Sequence, residues 1–260
     1  MPYRESFRVR SYEVDPRNRL TARALCAYLQ EVAGVHAEQL GASMARLAES
    51  GLAWVLHRLK VEVAAQARLG DTLDILTWPT RFDRVLAERD FVVSRSNGNG
   101  QETPQSHRGT EGGIALASSR WAMADLRARR PVRMPEFILA IGGEEGPPTV
   151  EMGRAALPEV TRGEVSRTFH VRRADLDVVR HVTNTQLVSW VAETVPEELE
   201  ETHRLAGLEV VFQRECRLGD VVVSEAQALD DPRGAAFAHV LRHAGDGREL
   251  VRAVTAWCRG

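Results

Sequence analysis

The amino-acid sequence predicts an α+β protein made of two fused copies of one small domain, each running strand, helix and then antiparallel sheet. First, Phe7-Arg8-Val9-Arg10 is matched by Phe169-His170-Val171-Arg172. At the same displacement and without a gap, Asp15 falls on Asp177, Thr21 on Thr183, Leu25 on Leu187 and Glu31 on Glu193. Second, Arg68-Leu69-Gly70-Asp71 recurs as Arg217-Leu218-Gly219-Asp220, each copy followed by a strand-like run. Third, Trp121 closes one apolar run and Trp257 closes its counterpart. Landmarks repeated in one order point to duplication, and 260 residues leave room for two domains of ordinary size.

Each copy opens on a short strand, residues 7–14 or 169–176. A helix follows, marked by apolar residues at helical spacing: Leu25, Tyr28, Leu29 and Val32 in the first copy, Leu187, Trp190 and Val191 in the second. Thr183 followed by Gln186 fits a capping box at the start of the second helix, and Pro196 suits its end. Strands are expected next at 54–63, 73–78, 88–95 and 114–123, then at 208–216, 221–229, 236–242 and 250–258. Hairpin signals divide them, Asn97-Gly98-Asn99-Gly100 in one copy and Gly245-Asp246-Gly247 in the other. One strand, one helix and four antiparallel strands is the order of a hotdog fold, in which the sheet wraps a central helix. A lone hotdog leaves an edge strand and a helix flank to be covered, normally by dimerising, and two copies in one chain supply that cover. The expected division is an N-terminal hotdog at 1–128, a connector rich in Pro, Gly, Arg and Glu at 129–164, and a C-terminal hotdog at 165–260. A fused pair is compatible with a monomer or with a further homodimer.

Composition narrows the function. With 36 acidic and 34 basic side chains, no global field points to nucleic acid. No apolar run approaches the roughly 20 residues of a membrane span, and the first ten residues alternate charge with apolar groups, unlike a signal peptide. Cys26, Cys216 and Cys258 are scattered, with no Cys-x-x-Cys spacing, which suits a reducing cytoplasm. His36, His57, His239 and His243 share no ligand spacing, so neither a metal nor another cofactor is expected.

The richest cluster of reactive side chains is Asp175-Leu176-Asp177-Val178-Val179-Arg180-His181-Val182-Thr183-Asn184, where strand gives way to helix. Unpaired amides and the helix dipole at such a junction stabilise a developing oxyanion. An acid and a histidine four residues apart supply what acyl transfer to water needs, one group acting on the nucleophile and one on the leaving thiolate. This run resembles the Asp-x-Asn-x-His-Val-Asn-Asn signature of plant and bacterial acyl-ACP thioesterases. Arg214-Glu215-Cys216-Arg217 resembles that family's Arg-Glu-Cys segment, and Leu52-Ala53-Trp54-Val55-Leu56, Arg58 and Trp121 also resemble family positions. The similarity extends over nearly the whole chain.

The resemblance implies Asp177, His181 and Glu215 as catalytic residues in hydrolysis of a fatty acyl thioester to free fatty acid and carrier thiol. It implies acyl carrier protein as the carrier, with coenzyme A the alternative, and the first half as scaffold and acyl-chain pocket. Two positions depart from the signature: Val179 replaces its first asparagine and Thr183 its second, while Asn184 is kept. Helix N-terminal amides around His181 to Thr183, or the Asn184 side chain, are the expected replacement donors.

The first copy is an internal control. It keeps Asp15 but places Arg19 opposite His181 and Gln66 opposite Glu215, so only the second half holds the whole set. Neighbours on a strand face opposite ways, so either Glu215 or Cys216 faces His181. That leaves a carboxylate-and-water route, with Glu215 or Asp177 as base, and a Cys–His nucleophilic route. Trp54 and Asn184 are candidate substrate contacts. Arg127, Arg129, Arg130 and Arg133 form a basic cluster, read either as a solvated connector or as a docking patch for an acidic carrier, with Arg129 and Arg130 at its centre. A non-catalytic acyl-binding module is the alternative from another class, because Val179 breaks the motif.

Overall fold

The computed structural model describes residues 2–96, 113–143, 149–232 and 234–260, in two compact units, Met1–Met152 and Gly153–Gly260. The Asn97-Gly98-Asn99-Gly100 signal lies outside the described residues. The first unit comprises β1 (Tyr3–Arg8), α1 (Ala22–Gln39), α2 (Met44–Glu49), β2 (Leu52–Val63), β3 (Thr72–Phe82), β4 (Leu86–Arg95), β5 (Gly113–Asp125), β6 (Arg130–Pro131) and α3 (Glu136–Leu139). Its strands lie in the order β1-β3-β4-β5-β2, all antiparallel, with β6 on β5.

Thr21 starts α1 by accepting a hydrogen bond from the Ala24 amide through its side chain. The helix then buries Leu25, Tyr28, Leu29, Val32 and His36, a stripe at helical spacing. Opposite it, Leu73 and Ile75 of β3 and Phe91 of β4 are fully buried. Truncating one such residue, for example Leu29→Ala, costs about 2–5 kcal/mol. Met134 and Ile138, from the stretch expected to connect the copies, are buried against Leu47, Ala87 and Met123 of this unit.

The second unit repeats the plan with β7 (Val165–His170), a single 3-10 turn (Arg173–Asp175), α4 (Asn184–Ala192), α5 (Glu197–Thr202), β8 (His203–Phe212), β9 (Val221–Leu229), β10 (Ala235–His243) and β11 (Glu249–Arg259). Its order, β7-β9-β10-β11-β8, corresponds strand for strand to that of the first unit. Small details recur as well. Phe7 stacks on Tyr28 with ring centroids 4.7 Å apart, and Phe169 on Trp190 at 5.1 Å. The Trp121 indole donates to Ser119 Oγ at 2.8 Å and the Trp257 indole to Thr255 Oγ1 at 2.9 Å. The α+β double hotdog expected from the repeat is the fold observed.

Several boundaries differ from expectation. The opening strands end early, at Arg8 and His170, because a carboxylate then folds the backbone: Glu13 accepts from the Arg10 amide and Asp175 from the Arg172 amide, each at 2.8 Å. The second helix stops at Ala192, and Pro196 caps α5 instead of ending α4. Only half of the capping box forms: Thr183 Oγ1 accepts from the Gln186 amide, but the buried Gln186 Oε1 has no partner among the described residues. The strand expected through Cys216 ends at Phe212, because Arg217-Leu218-Gly219-Asp220 forms a tight turn. There Asp220 accepts from the Arg217 amide at 2.9 Å, and Gly219 sits at φ +88°, which favours glycine.

Candidate functional site

A backbone frame, built twice, holds the reactive residues. Asp177 Oδ1 accepts from the amides of Val179 (2.9 Å) and His181 (3.0 Å), while the Asp177 amide donates to the His181 carbonyl (2.8 Å). The tight turn puts Arg180 at φ +67°. In the first unit Asp15 Oδ1 accepts from Arg17 and Arg19, each at 2.9 Å, and Asn18 takes φ +60°. Each turn is then tied to the Arg-Leu-Gly-Asp loop, by Leu20 N to Ala67 O and by Val182 N to Cys216 O, both 2.9 Å. Residue 181 is thereby fixed beside residues 215–217, paired across a bridge to Arg217.

On this shared frame the side chains diverge. His181 Nε2 lies 2.8 Å from Glu215 Oε2, and Arg217 Nη2 donates to Glu215 Oε1 at 2.9 Å. Arg217 Nη2 is also 3.2 Å from His181 Nε2. That nitrogen cannot donate to Glu215 and accept from Arg217 at once. With Glu215 ionised, Nε2 carries the proton and donates to Oε2, so histidine and arginine share the carboxylate. In the first unit the corresponding side chains serve structure: Arg19 Nε donates to Asp15 Oδ2 (2.6 Å) and Gln66 Nε2 to the Leu20 carbonyl (3.0 Å).

The structure therefore brings His181 and Glu215 together, while Asp177 reaches them through the backbone turn. Arg217 joins them. Its signal was the repeated Arg-Leu-Gly-Asp motif, which reads as a turn landmark because Arg68 occupies the same place in the copy without the pair. Cys216 turns inward and is buried, and burial pushes its thiol up to about 12, so it is un-ionised at neutral pH. The amides expected as oxyanion donors are engaged: His181 N by Asp177, Val182 N by Cys216 O and Thr183 N by Asp175 O. Asn184, half-buried, opens α4. Next to it, the Thr185 amide makes no hydrogen bond to the described residues.

The other candidates lie in the first unit. Trp54 donates its indole N–H to the Ala42 carbonyl (3.1 Å), and its ring lines a cavity of about 200 Å³ between α1 and the sheet. Gly34, Ala37, Phe82, Trp121 and Arg89 also border it. Arg129, in the turn after β5, and Arg130, which opens β6, are exposed; Asp125 Oδ1 holds the turn by accepting from the Arg127 and Ala128 amides. Among the described residues no group of three or more His, Cys, Asp or Glu could hold a metal ion, and no helix is long and apolar enough to cross a membrane.

Comparison with known proteins gives one result over the whole chain. The family model for the acyl-ACP thioesterase N-terminal domain matches residues 1–141, and that for the acyl-ACP thioesterase C-terminal domain matches residues 159–259. An oleoyl-acyl carrier protein thioesterase of Arabidopsis thaliana is 28% identical over 287 residues, covering 99% of this chain and 76% of the relative. A palmitoyl-acyl carrier protein thioesterase of Cuphea hookeriana is 29% identical over 271 residues, and the chain spans 62% of its length. The solved 12:0-ACP thioesterase of Umbellularia californica has a TM-score of 0.83 at 24% identity, covering 100% of this chain and 98% of its own. An acyl-ACP thioesterase structure from Bacteroides thetaiotaomicron has a TM-score of 0.83 at 22% identity, covering 99% and 98%. Both structures share the fold.

Proposed function

The chain belongs to the acyl-ACP thioesterase family, and from that premise we propose that it hydrolyses fatty acyl thioesters of acyl carrier protein, releasing fatty acid and carrier thiol. The observation that carries this reading is the His181–Glu215 contact of 2.8 Å on a frame whose first copy has lost both groups. Glu215, held by His181 and Arg217, takes a proton from the attacking water, whose oxygen adds to the thioester carbonyl carbon. The developing oxyanion meets the N-terminus of α4, where the Thr185 amide is the available donor. The C–S bond then breaks as the oxyanion collapses, the His181 Nε2 proton passes to the departing thiolate, and Glu215 returns to His181 the proton it took from water.

Asp177 acts through the turn, placing His181 instead of acting as the base. The carboxylate-and-water route is favoured over a cysteine nucleophile because the Cys216 thiol is buried and neutral. In this assignment the C-terminal hotdog is catalytic, and the N-terminal hotdog is scaffold and acyl pocket, with Trp54 on the pocket wall. Arg129 and Arg130, exposed and basic, are the docking contacts for an acidic carrier. The three free cysteines fit a reducing cytoplasm.

Turnover assays on purified protein with acyl-ACP and with acyl-CoA of one chain length test the reading. Thiol release from acyl-ACP, at a higher kcat/KM than from acyl-CoA, is expected. Faster hydrolysis of acyl-CoA would reassign the carrier. Retention of acyl-ACP without thiol release would identify a binding module instead.

A further inference from the structure

Arg89 is a buried cation with no counter-ion among the described residues. From β4 its Nη1 donates to His36 Nδ1 of α1 (2.9 Å) and to Thr77 Oγ1 of β3 (3.1 Å), and a histidine nitrogen that accepts belongs to a neutral ring. Its Nε and Nη2 make no hydrogen bond to the described residues. The neighbouring carboxylates are engaged elsewhere, Glu88 with Arg120 at 2.7 Å and Asp90 with the Ser118 hydroxyl at 2.7 Å. Arg89 is only 8% exposed, yet it borders the cavity whose other walls include Trp54, Phe82, Trp121 and Ile141. Burial pushes its guanidinium down to about 10, which leaves the charge in place at neutral pH. An unpaired ion so placed is costly, and a ligand that pairs with it recovers that cost.

The fold itself does not need this arginine. Ala87 faces Trp121 across β4 and β5, and Ala235 faces Trp257 across β10 and β11. Two residues on from each alanine, Arg89 therefore corresponds to Phe237, which packs with Val195 and Trp257 in an ordinary apolar cluster. A side chain that keeps charge where its twin keeps a phenyl ring points to an anion. The remaining walls are mostly apolar, with Gln30 and the Arg120-paired Glu88 as the other polar residues on them, and so point to an anion with a hydrocarbon tail.

We propose that the cavity of the first unit binds a free fatty acid, with Arg89 holding the carboxylate and the aromatic walls holding the chain. The choice of ligand class rests on the proposed hydrolysis, which releases such an acid; the unpaired guanidinium and the cavity stand without it. A thioester chain in the same cavity offers Arg89 only methylene groups, so the released acid competes with substrate and slows turnover.

The test is calorimetric titration of the full chain with decanoate and with decanol, with tryptophan fluorescence reporting on Trp54 and Trp121. Charge-assisted hydrogen bonds should make the acid bind about tenfold or more tightly than the alcohol. Arg89→Met, similar in length and neutral, should abolish that preference and keep alcohol binding. Gly34→Leu should weaken both ligands, because a Cβ at Gly34 meets nothing within 4 Å and the longer side chain fills the cavity. Equal affinity of the unmodified protein for acid and alcohol overturns the proposal without any variant, and so does a preference that survives Arg89→Met. No thioester is present, so a failure to hydrolyse acyl-ACP would sink the proposed activity and leave this binding result standing.

Discussion

Glu215→Gln separates catalysis from structure. Glutamine keeps the size of the side chain and one oxygen, but it cannot take a proton from water at neutral pH. A positioned general base contributes about 10²–10⁴-fold, so kcat should fall by at least about a hundredfold. The structural cost is much smaller. Glu215 is 40% exposed on its side chain, and its contacts, a hydrogen bond with His181 (2.8 Å) and an ion pair with Arg217 (2.9 Å), lie at the surface and are worth about 1 kcal/mol or less each. Melting should therefore fall by a few degrees at most. Thiol release from acyl-ACP at saturation, measured beside thermal melting on the same preparation, distinguishes the two effects. A folded Glu215→Gln enzyme with kcat within about fivefold of the parent would refute the assignment of the base. A loss confined to KM would show that Glu215 binds substrate without handling the proton.

Cys216→Ala should retain most of kcat, whereas an acyl group trapped covalently on Cys216 and found by mass spectrometry would reverse the choice of nucleophile. Val179 is 46% exposed and contributes only its amide to the turn, so Val179→Asn should change stability by less than about 0.5 kcal/mol. Its kcat should be equal or higher; a folded variant with much lower kcat would show that this turn requires valine. Arg129→Glu with Arg130→Glu should raise KM for acyl-ACP and leave short acyl-CoA analogues nearly unaffected, and equal effects on both would count against a carrier patch. Burial pushes His239 down to about 3, held neutral between Thr194 and Thr255. Its stabilising contribution is fully present above about pH 6.5 and is lost as pH falls towards 3, reaching about 2–3 kcal/mol at pH 4.5. Urea melts at pH 7 and pH 4.5 should show His239→Gln losing less stability than the parent; equal losses would show that other groups govern acid unfolding.

Duplication and sheet order were legible because landmarks such as Arg-Leu-Gly-Asp and the closing tryptophans mark fixed points of the fold. Helix starts were legible because Thr21 and Thr183 cap through a local bond. His181 and Glu215 were singled out by motif, but their contact is made by backbone ties between distant loops that no local pattern encodes. The engagement of the amides from His181 to Thr183 was hidden for the same reason, since Asp175 and Cys216 reach them from other segments. Arg89 is not legible as buried because Glu88-Arg89-Asp90 reads as a run of exposed charge; only the packing of α1 on the sheet shows it to be buried.

Joining two copies in one chain changes what a substitution can do. In a homodimer of identical subunits, a residue chosen for one centre is imposed on its twin. Here one backbone plan carries two independent sets of side chains. Arg19 holds its own turn where His181 meets Glu215, and Phe237 fills an apolar cluster where Arg89 keeps a charge beside a cavity. On the proposed assignment, selection can therefore tune acid–base chemistry in one half and ligand capacity in the other, with no single position forced to compromise between them.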